Sequence, residues 1–214
     1  MKKIVTLALA ALVSAGAMAQ DIKLPAADQK QKSMSVVEAL ATRHSVREYS
    51  NKKLTNQELS NLCWAACGVA RDAEHRTAPT AMNRKEIRLY VFMEEGTYEY
   101  IATENLLKKV ANGDSRMLMA GAAGGFKQEF VGQAPVSLLM VADLNIFGST
   151  DEHAKQMCIV DAGIVCENIN LYCQAVGLAT VPRATMDSAA IVKLLGLDAS
   201  KQIPVLNNPV GYAK

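Results

Sequence analysis

The spacing of apolar residues along this chain changes between a helical period and an extended one, and these changes predict its elements. Near the start, apolar side chains three or four positions apart predict a short helix containing Met34, Val37, Leu40 and Ala41. A second helix is predicted to begin at Thr55, whose side chain can cap it together with Glu58, and to end at Gly68.

Extended segments rich in β-branched and aromatic residues follow the second helix. Strands are predicted at 87–92, 97–101, 136–142 and 204–212. A turn at Glu95 and Gly96 joins the first two strands into a hairpin. Between the second and third strands, residues 103–110 are predicted to be helical, and the glycine-rich segment 113–132 is predicted to be irregular or partly helical.

Two further helices are predicted in the last third of the chain. Asp151 can cap a long helix that runs to about Ala175 and ends at Gly177. Residues 187–195 are predicted to form a short helix closed by Gly196. Because helices and strands are mixed without regular alternation, the predicted fold class is α+β.

The long predicted helix carries apolar residues on more than one face, and Gly163 would let another helix approach closely. This pattern is typical of a helix buried against a partner subunit. A core helix in a monomer explains it nearly as well, so both interpretations stay open at this point.

The start of the chain predicts a targeting segment. Lys2 and Lys3 precede an uncharged apolar run, and Ala17 and Ala19 are small residues at the two positions that a signal peptidase recognises. We therefore predict a signal peptide at 1–19, an exposed lead-in at 20–33 and one domain at 34–214. The expected location is outside the cytoplasm, in the periplasm.

Composition excludes several classes of protein. The 214 residues carry a formal net charge of +2, which gives no general argument for binding nucleic acid or a membrane surface. The cysteines fall at helical spacings and are odd in number, and we predict that all are free: Cys63, Cys67, Cys158, Cys166 and Cys173. No metal site is predicted, because the histidines are scattered and belong to no paired ligand motif.

The stretch 43–49, RHSVREY, is the strongest candidate for binding chemistry. Arg43 and Arg47 offer planar forks of donors that match phosphate oxygens, and the Ser45 hydroxyl can donate to a third oxygen. Alternatively, the two arginines only complement the negative end of the preceding helix and otherwise lie in solvent. The cluster alone does not decide between these two interpretations.

A second candidate is the loop 76–83. It combines Pro79 with small residues, which let a backbone approach a flat ligand closely, and it ends in Asn83, whose amide both donates and accepts hydrogen bonds. The alternative is a plain connection between a helix and a strand.

Five stretches together resemble one family. They are RHSVREY, APTAMNR at 78–84, APVSLLMVA at 134–142, DAGIVCENINLYCQAVGL at 161–178 and PVGY at 209–212. Their content and order resemble the nitroreductase-like family of FMN-dependent oxidoreductases over almost all of residues 34–212. The segment GTYEYIATENLLKKV at 96–110 further resembles the branch that includes thiazoline and oxazoline dehydrogenases.

The resemblance implies a fold, a cofactor and a set of contacts. The implied fold is a central mixed β-sheet flanked by helices, in an intertwined homodimer with two FMN sites at the interface. Implied contacts to the FMN phosphate and ribityl chain come from Arg43, Ser45 and Arg47, with His44 beside them. The loop that reaches the flavin of the other subunit is matched by Pro79, Thr80, Ala81 and Asn83. The family segment that lies beside the flavin edge is matched by Val181, Pro182, Arg183 and Ala184.

The sequence departs from this family pattern at two places. Its tail after PVGY contains only Ala213 and Lys214, so Lys214 is the one tail cation left for the phosphate. Arg84 and Arg183 stand where small or acidic residues are common, which suggests an anionic substrate or donor.

The resemblance implies that hydride or electron pairs pass through flavin N5 to or from a small organic molecule, with no catalytic side-chain nucleophile. Reduction of a nitroaromatic, quinone or enone, or a dehydrogenation, would fit equally, and the electron donor is unknown. The alternative is a flavin-binding homodimer without turnover of its own, such as an electron carrier or a degenerate structural protein.

Overall fold

The computed structural model describes residues 20–122 and 124–214. Its centre is a seven-stranded sheet with the order β1-β4-β3-β2-β5-β7-β6. The strands are β1 Ile22–Lys23, β2 Ile87–Met93, β3 Gly96–Ile101, β4 Leu106–Asn112, β5 Val136–Asp143, β6 Ala179–Thr180 and β7 Gln202–Gly211.

Helices cover this sheet, as expected for the α+β class. They are α1 Val36–Thr42, α2 Asn56–Cys67, α3 Leu144–Phe147, α4 Glu152–Val176 and α5 Ser188–Leu195. The capping box predicted for α2 is confirmed, because Thr55 accepts from the Glu58 N–H and Glu58 accepts from the Thr55 N–H. The predicted ends of α4 are confirmed too, with Asp151 as its N-cap and Gly177, at a φ of 78°, as its C-cap.

Alternating side chains of the central strands build two cores. In β5, Leu138 and Met140 face the core that contains α2 and α4, whereas Leu139 and Val141 face a smaller core against α5 and the segment 116–133. This division follows from the two-residue period of a strand. A strand buried on both faces has to be apolar at nearly every position, as β5 is.

The prediction of a helix at 103–110 is wrong, because this segment contains the start of strand β4. β4 pairs antiparallel with β3, and Tyr100 stands opposite Leu107, which is fully buried. Local propensity favoured a helix for these residues. Pairing with β3 through the turn at 102–105 overrides that propensity, since it satisfies backbone groups and buries Leu107 at once.

The sheet is antiparallel within the protomer, whereas the family resemblance implied a mixed sheet. The pairings among the described strands are all antiparallel. Tight turns join β2 to β3 and β3 to β4, and such hairpins impose antiparallel neighbours. The α+β class and the sheet flanked by helices are confirmed.

The lead-in 20–33 is mostly exposed but is attached to the domain at several points. Ile22 and Lys23 pair with β4, and the Leu24 side chain is buried. The Gln31 amide donates to the Tyr172 hydroxyl at 2.8 Å. The predicted signal peptide lies outside the described residues.

All five cysteines are free, as predicted, and four of the five are buried. Among the helices in the described part of the chain, none is long and apolar enough to cross a membrane.

Candidate functional site

The stretch 43–49 leaves the C-terminus of α1 and lies against two distant segments. The Val46 N–H donates to the Thr180 carbonyl at 3.0 Å. The Lys214 N–H donates to the Glu48 carbonyl at 3.3 Å, and Tyr49 forms a β-bridge with Ala213. The fold therefore joins three of the motifs that the sequence singled out.

A cavity of about 300 Å³ opens where these segments meet. It is lined by His44, Ser45, Val46, Arg47, Glu48, Ala213 and Lys214. Arg47 and Lys214 supply two cations and Ser45 supplies a hydroxyl, against one carboxylate from Glu48. Such a donor set is suited to an oxyanion with more than one charge, such as a phosphate.

Arg43 lies beside this cavity but is not part of its lining. It is the C-cap residue of α1, and its N–H donates to the Ala39 carbonyl. Each of the two interpretations of the cluster therefore applies to one of its arginines. Arg43 stands where a cation complements the helix end, whereas Arg47 lines the cavity.

Buried anchors hold the backbone of this cluster in place. The Tyr49 ring is buried, and its hydroxyl donates to the carbonyls of Val46 and Pro209 at 2.9 and 3.2 Å. Burial raises the pKa of Tyr49, so the hydroxyl stays protonated and able to donate. The His44 Nδ1 lies 3.0 Å from the Thr42 carbonyl, which requires a proton on that nitrogen.

The turn 181–184 follows β6 directly, next to the same cluster. Val181 is buried, whereas Pro182 and Ala184 are exposed. The Arg183 N–H donates to the Asn207 carbonyl at 2.9 Å, and the Arg183 carbonyl accepts from the Asn207 N–H at 2.7 Å. The Arg183 backbone groups are therefore engaged within the protein, while the Ala184 N–H has no partner in the described residues.

The Arg183 guanidinium does not face a substrate, contrary to the interpretation that linked it to an anionic ligand. It is 7% exposed and donates to the Gln128 side chain at 2.7 Å and to the Asn207 side chain at 2.8 Å. It also donates to the carbonyls of Met119 and Ala120. The side chain points inward because four acceptors inside the protein satisfy it.

The loop 79–83 is fixed on α4 and away from this cluster. The Ala81 N–H donates to the Asp161 carboxylate at 2.7 Å, and the Thr80 hydroxyl accepts from the Lys85 N–H at 2.8 Å. Asn83 donates to the Glu74 carbonyl at 3.1 Å. Positive φ angles occur at Met82, Asn83 and Lys85, at 53°, 54° and 58°. Side-chain bonds thus hold the loop in a backbone conformation that these residues seldom adopt.

The two halves of the predicted site are far apart within one protomer. The loop 79–83 is attached to α4 at Asp161. The residues that lead into α1 are attached near the C-terminus of α4, where the Met34 N–H donates to the Ala175 carbonyl at 2.9 Å. The two points are fourteen positions apart on the helix, about 21 Å along its axis. One protomer therefore brings together His44, Ser45, Arg47, Lys214 and the turn 181–184, but not the loop 79–83.

The Nitroreductase family matches residues 40–212, which is more than half of the sequence. The chain belongs to the nitroreductase family. The protein is accordingly an oxidoreductase.

Three relatives, each described as a putative nitroreductase, resemble it over most of their length. Protein MJ1384 of Methanocaldococcus jannaschii is 29% identical over 201 residues, which are 89% of this chain and 96% of that protein. A crystal structure from Ralstonia eutropha is 29% identical with a TM-score of 0.83, covering 93% and 92% of the two chains. A structure from Desulfovibrio desulfuricans in complex with FMN is 18% identical with a TM-score of 0.62, covering 84% and 87%, and shows the shared fold.

This nitroreductase leaves an apolar surface exposed on two helices. On α1 the buried side chain is Ala39, whereas the apolar positions that predicted the helix mostly face outward, and Val37 is 75% exposed. On α4, Ile159 and Val160 are exposed, and a Cβ added at Gly163, one turn further along, would meet no atom within 4 Å. An apolar stripe beside an open glycine is typical of a surface that another chain covers.

Sequence analysis missed one acidic pair beside the loop of this nitroreductase. Glu86 is fully buried, and neither carboxylate oxygen has an N–H or O–H partner among the described residues. Burial first and the neighbouring Asp161 second raise the pKa of Glu86 to about 7. Glu86 therefore keeps its proton well above the pH at which an ordinary glutamic acid ionises. Its position next to a strand gave no sign of this, because the helix carrying Asp161 meets it only in the fold.

Proposed function

We propose that this protein is an FMN-dependent oxidoreductase that passes hydride or electron pairs to or from a small organic molecule. The observation that carries the proposal is the cavity in which Arg47, Ser45 and Lys214 converge. Its donors fit a phosphate monoester, the group at the end of the FMN ribityl chain. The likeness to a relative solved with FMN supports the same cofactor.

Each segment of the site has a distinct role in this proposal. FMN would supply the chemistry, with N5 as the atom that takes or gives hydride. Arg47 and Lys214 hold the phosphate, and the Ser45 hydroxyl donates to it. The turn 181–184 lies against the flavin edge. Since the Arg183 N–H is engaged by Asn207, the Ala184 N–H is the donor that this turn offers to the ring.

We further propose an intertwined homodimer. The loop with Pro79, Thr80, Ala81 and Asn83 is too far from its own phosphate cavity to share a flavin with it. A second copy would place this loop over the first copy's flavin. The exposed apolar side chains of α1 and those of α4 support such an assembly, because pairing would remove them from water.

Arg47→Ala is expected to weaken FMN binding about ten- to hundredfold, because it removes a charge-assisted hydrogen bond of about 1.5–3 kcal/mol. Arg43→Ala removes the same charge outside the cavity lining and is expected to have a smaller effect. Quenching of FMN fluorescence during titration measures both dissociation constants. Wild-type affinity in Arg47→Ala would contradict the phosphate site. A yellow protein that bleaches with dithionite and recovers with an added acceptor would support the enzyme, whereas a colourless dimer that does not take up FMN would support the alternative.

The protein is expected to be a dimer at micromolar concentration, with an interface above about 2,000 Å² in total. Light scattering coupled to gel filtration measures its mass. Val37→Glu with Leu40→Glu should shift the mass toward the monomer, since both side chains are exposed apolar groups of α1. Lys193→Glu on α5 introduces an exposed acid elsewhere and serves as the control. A wild-type monomer would exclude a loop that acts in trans.

The apolar start of the chain supports a further proposal, that the protein is exported to the periplasm. NADH and NADPH are not supplied there. A redox protein, a small reductant or the substrate itself would then provide the electrons, and cell fractionation of the full-length protein tests this location.

A further inference from the structure

The connection between α2 and β2 carries an excess of positive charge. Residues 71–85 contain four permanent cations, Arg71, Arg76, Arg84 and Lys85, and two carboxylates. The whole chain of 214 residues has a formal net charge of +2, so the residues outside this connection are close to neutral. This connection therefore differs from the rest of the protein in its charge.

Both carboxylates of this connection are engaged by other partners. Asp72 Oδ1 lies 2.6 Å from His75 Nδ1, and this hydrogen bond holds the pKa of Asp72 below its ordinary value. Glu74 Oε2 lies 2.8 Å from Lys85 Nζ, and that contact likewise lowers the pKa of Glu74. Neither acid forms an ion pair with Arg71 or Arg76, although the charge of Arg71 acts on Asp72 and that of Arg76 on Glu74.

The two arginines keep most of their donors available. Arg76 Nη1 donates to the Ala73 carbonyl at 3.1 Å, and Arg76 makes no ion pair within the described ranges. Arg71 is exposed and has neither a hydrogen bond nor an ion pair in the same part of the chain. A guanidinium carries five N–H donors, so about nine remain between the two side chains.

These arginines line one cavity of about 450 Å³, large enough for a small organic molecule. Its lining contains no carboxylate and consists of Arg71, His75, Arg76, Thr77, Ala78, Pro79, Thr80 and Asn83. The cavity lining therefore carries positive charge, whereas its Thr77 hydroxyl and Asn83 amide already donate to carbonyls of the protein.

The backbone walls of this cavity are fixed by hydrogen bonds. The Ala70 N–H donates to the His75 carbonyl at 2.9 Å, and the Thr77 N–H donates to the Gly68 carbonyl at 3.0 Å. The Thr77 hydroxyl donates to the Trp64 carbonyl at 2.9 Å, which anchors the connection to α2. A ligand would thus meet a preformed surface and lose little free energy in ordering it.

We propose that this cavity binds the carboxylate or phosphate of the molecule that reacts at the flavin, so that the substrate is a small organic anion. The inference rests on the proposed function, because Pro79, Thr80 and Asn83 belong both to this cavity and to the loop that faces the partner's flavin. Arg71 and Arg76 select the charge of the substrate, and the rigid loop sets its distance from the ring. They are specificity residues, and the phosphate of FMN is held elsewhere.

Two acceptors that differ in charge test this proposal. The reduced, FMN-loaded dimer is mixed anaerobically with 4-nitrobenzoate or with 4-nitrobenzamide, which have the same ring and nitro group. In Arg71→Gln with Arg76→Gln, the preference for the anion over the amide is expected to fall about ten- to hundredfold relative to wild type. For each acceptor, the rate with the variant is divided by the rate with wild type. The different intrinsic reactivities of the two acceptors then cancel. Lys193→Gln, an exposed cation on α5, should leave the preference unchanged.

The possible outcomes separate this inference from the function on which it rests. An equal loss for both acceptors, or an unchanged preference, would overturn it. If the wild type reduces neither acceptor, nitro reduction is not its reaction, and calorimetric titration of 4-nitrobenzoate into the dimer then decides on the cavity alone. Binding by wild type that the double variant loses would support the anion site. Absence of binding by wild type would refute it.

Discussion

Replacing Arg183 by methionine is expected to lower the free energy of unfolding by about 3 kcal/mol. Methionine keeps a long unbranched side chain but removes every donor from a buried position. The Met119 carbonyl and the side chains of Gln128 and Asn207 would lose this donor, whereas the Ala120 carbonyl would keep its bond from the Gln128 N–H. A buried acceptor left without a donor costs about 1–3 kcal/mol.

An opposing effect reduces this loss. Burial lowers the pKa of the Arg183 guanidinium, which shows that the cation is held away from water at a cost. The described residues place no carboxylate beside it, and Phe130 contributes only its ring, 5.6 Å from the Arg183 Cζ atom. Removing the charge recovers that desolvation cost, and for this reason the net effect is smaller than four separate hydrogen bonds would give.

Two measurements check the expectation for Arg183. Urea unfolding gives the global change, and limited trypsin digestion at the exposed Lys127 shows whether the segment 121–132 detaches first. Lys193→Met, the same substitution type on an exposed cation, is the control. Equal stability of Arg183→Met and wild type would mean that the hydrogen bonds only balance the cost of burying the charge.

Replacing Glu86 by glutamine is expected to remove a pH dependence of stability worth about 3 kcal/mol. The Glu86 pKa is about 7 in the folded protein, above its ordinary value of 4.5. Between those two values the unfolded chain loses this proton while the folded protein keeps it. Stability therefore falls as the pH rises from about 4.5 to about 7 and changes no further above that range.

Asp161 interacts directly with Glu86, so this pH dependence belongs to the pair of acids. The neighbouring thiol does not add to it. Burial first, and Glu86 second, raise the pKa of Cys158 to about 12, so this thiol stays neutral. Glutamine keeps the size of the side chain, and its amide can donate to Asp161. At pH 8 the variant is expected to be more stable than wild type, whereas at pH 4.5 the two should be similar.

Urea unfolding of both proteins at pH 4.5 and pH 8 measures this difference. Glu104→Gln, the same change at an exposed position, controls for loss of a charge. If wild type and Glu86→Gln change in parallel with pH, Glu86 is ionised in the folded state and the proposed neutral acid is refuted.

The elements that could be predicted from the sequence are those fixed by contacts between residues close together in the chain. The caps of α2 and α4 were predictable, since Thr55 with Glu58 and Asp151 act on N–H groups only three residues away. Strand β5 was predictable because it is apolar throughout and follows a proline. The start of β4 was not predictable, because its neighbour β3 and the burial of Leu107 decide its conformation.

The candidate site shows the same division. Residues 43–47 suggested anion binding from their composition, and the fold adds Lys214 to them through the end of β7. Composition could not assign Arg43 to a helix end and Arg47 to a cavity. It also could not show that Arg183 points inward, because its acceptors lie at 119–128 and 207. Glu86 was missed for the same reason, since its partner Asp161 comes from a distant helix.

The sheet ends on both sides in strands of only two residues, β1 and β6. A long bare strand at a sheet edge acts as a template for other chains, and it is the usual starting point for aggregation. On the β1 side, β4 continues past its short partner, but Asp21 accepts the next free N–H, that of Lys109, at 2.8 Å. Lys108 and Lys109 also place charges there. On this side the sheet therefore offers incoming strands little edge to join, although β2 and β5 at its centre are almost wholly apolar.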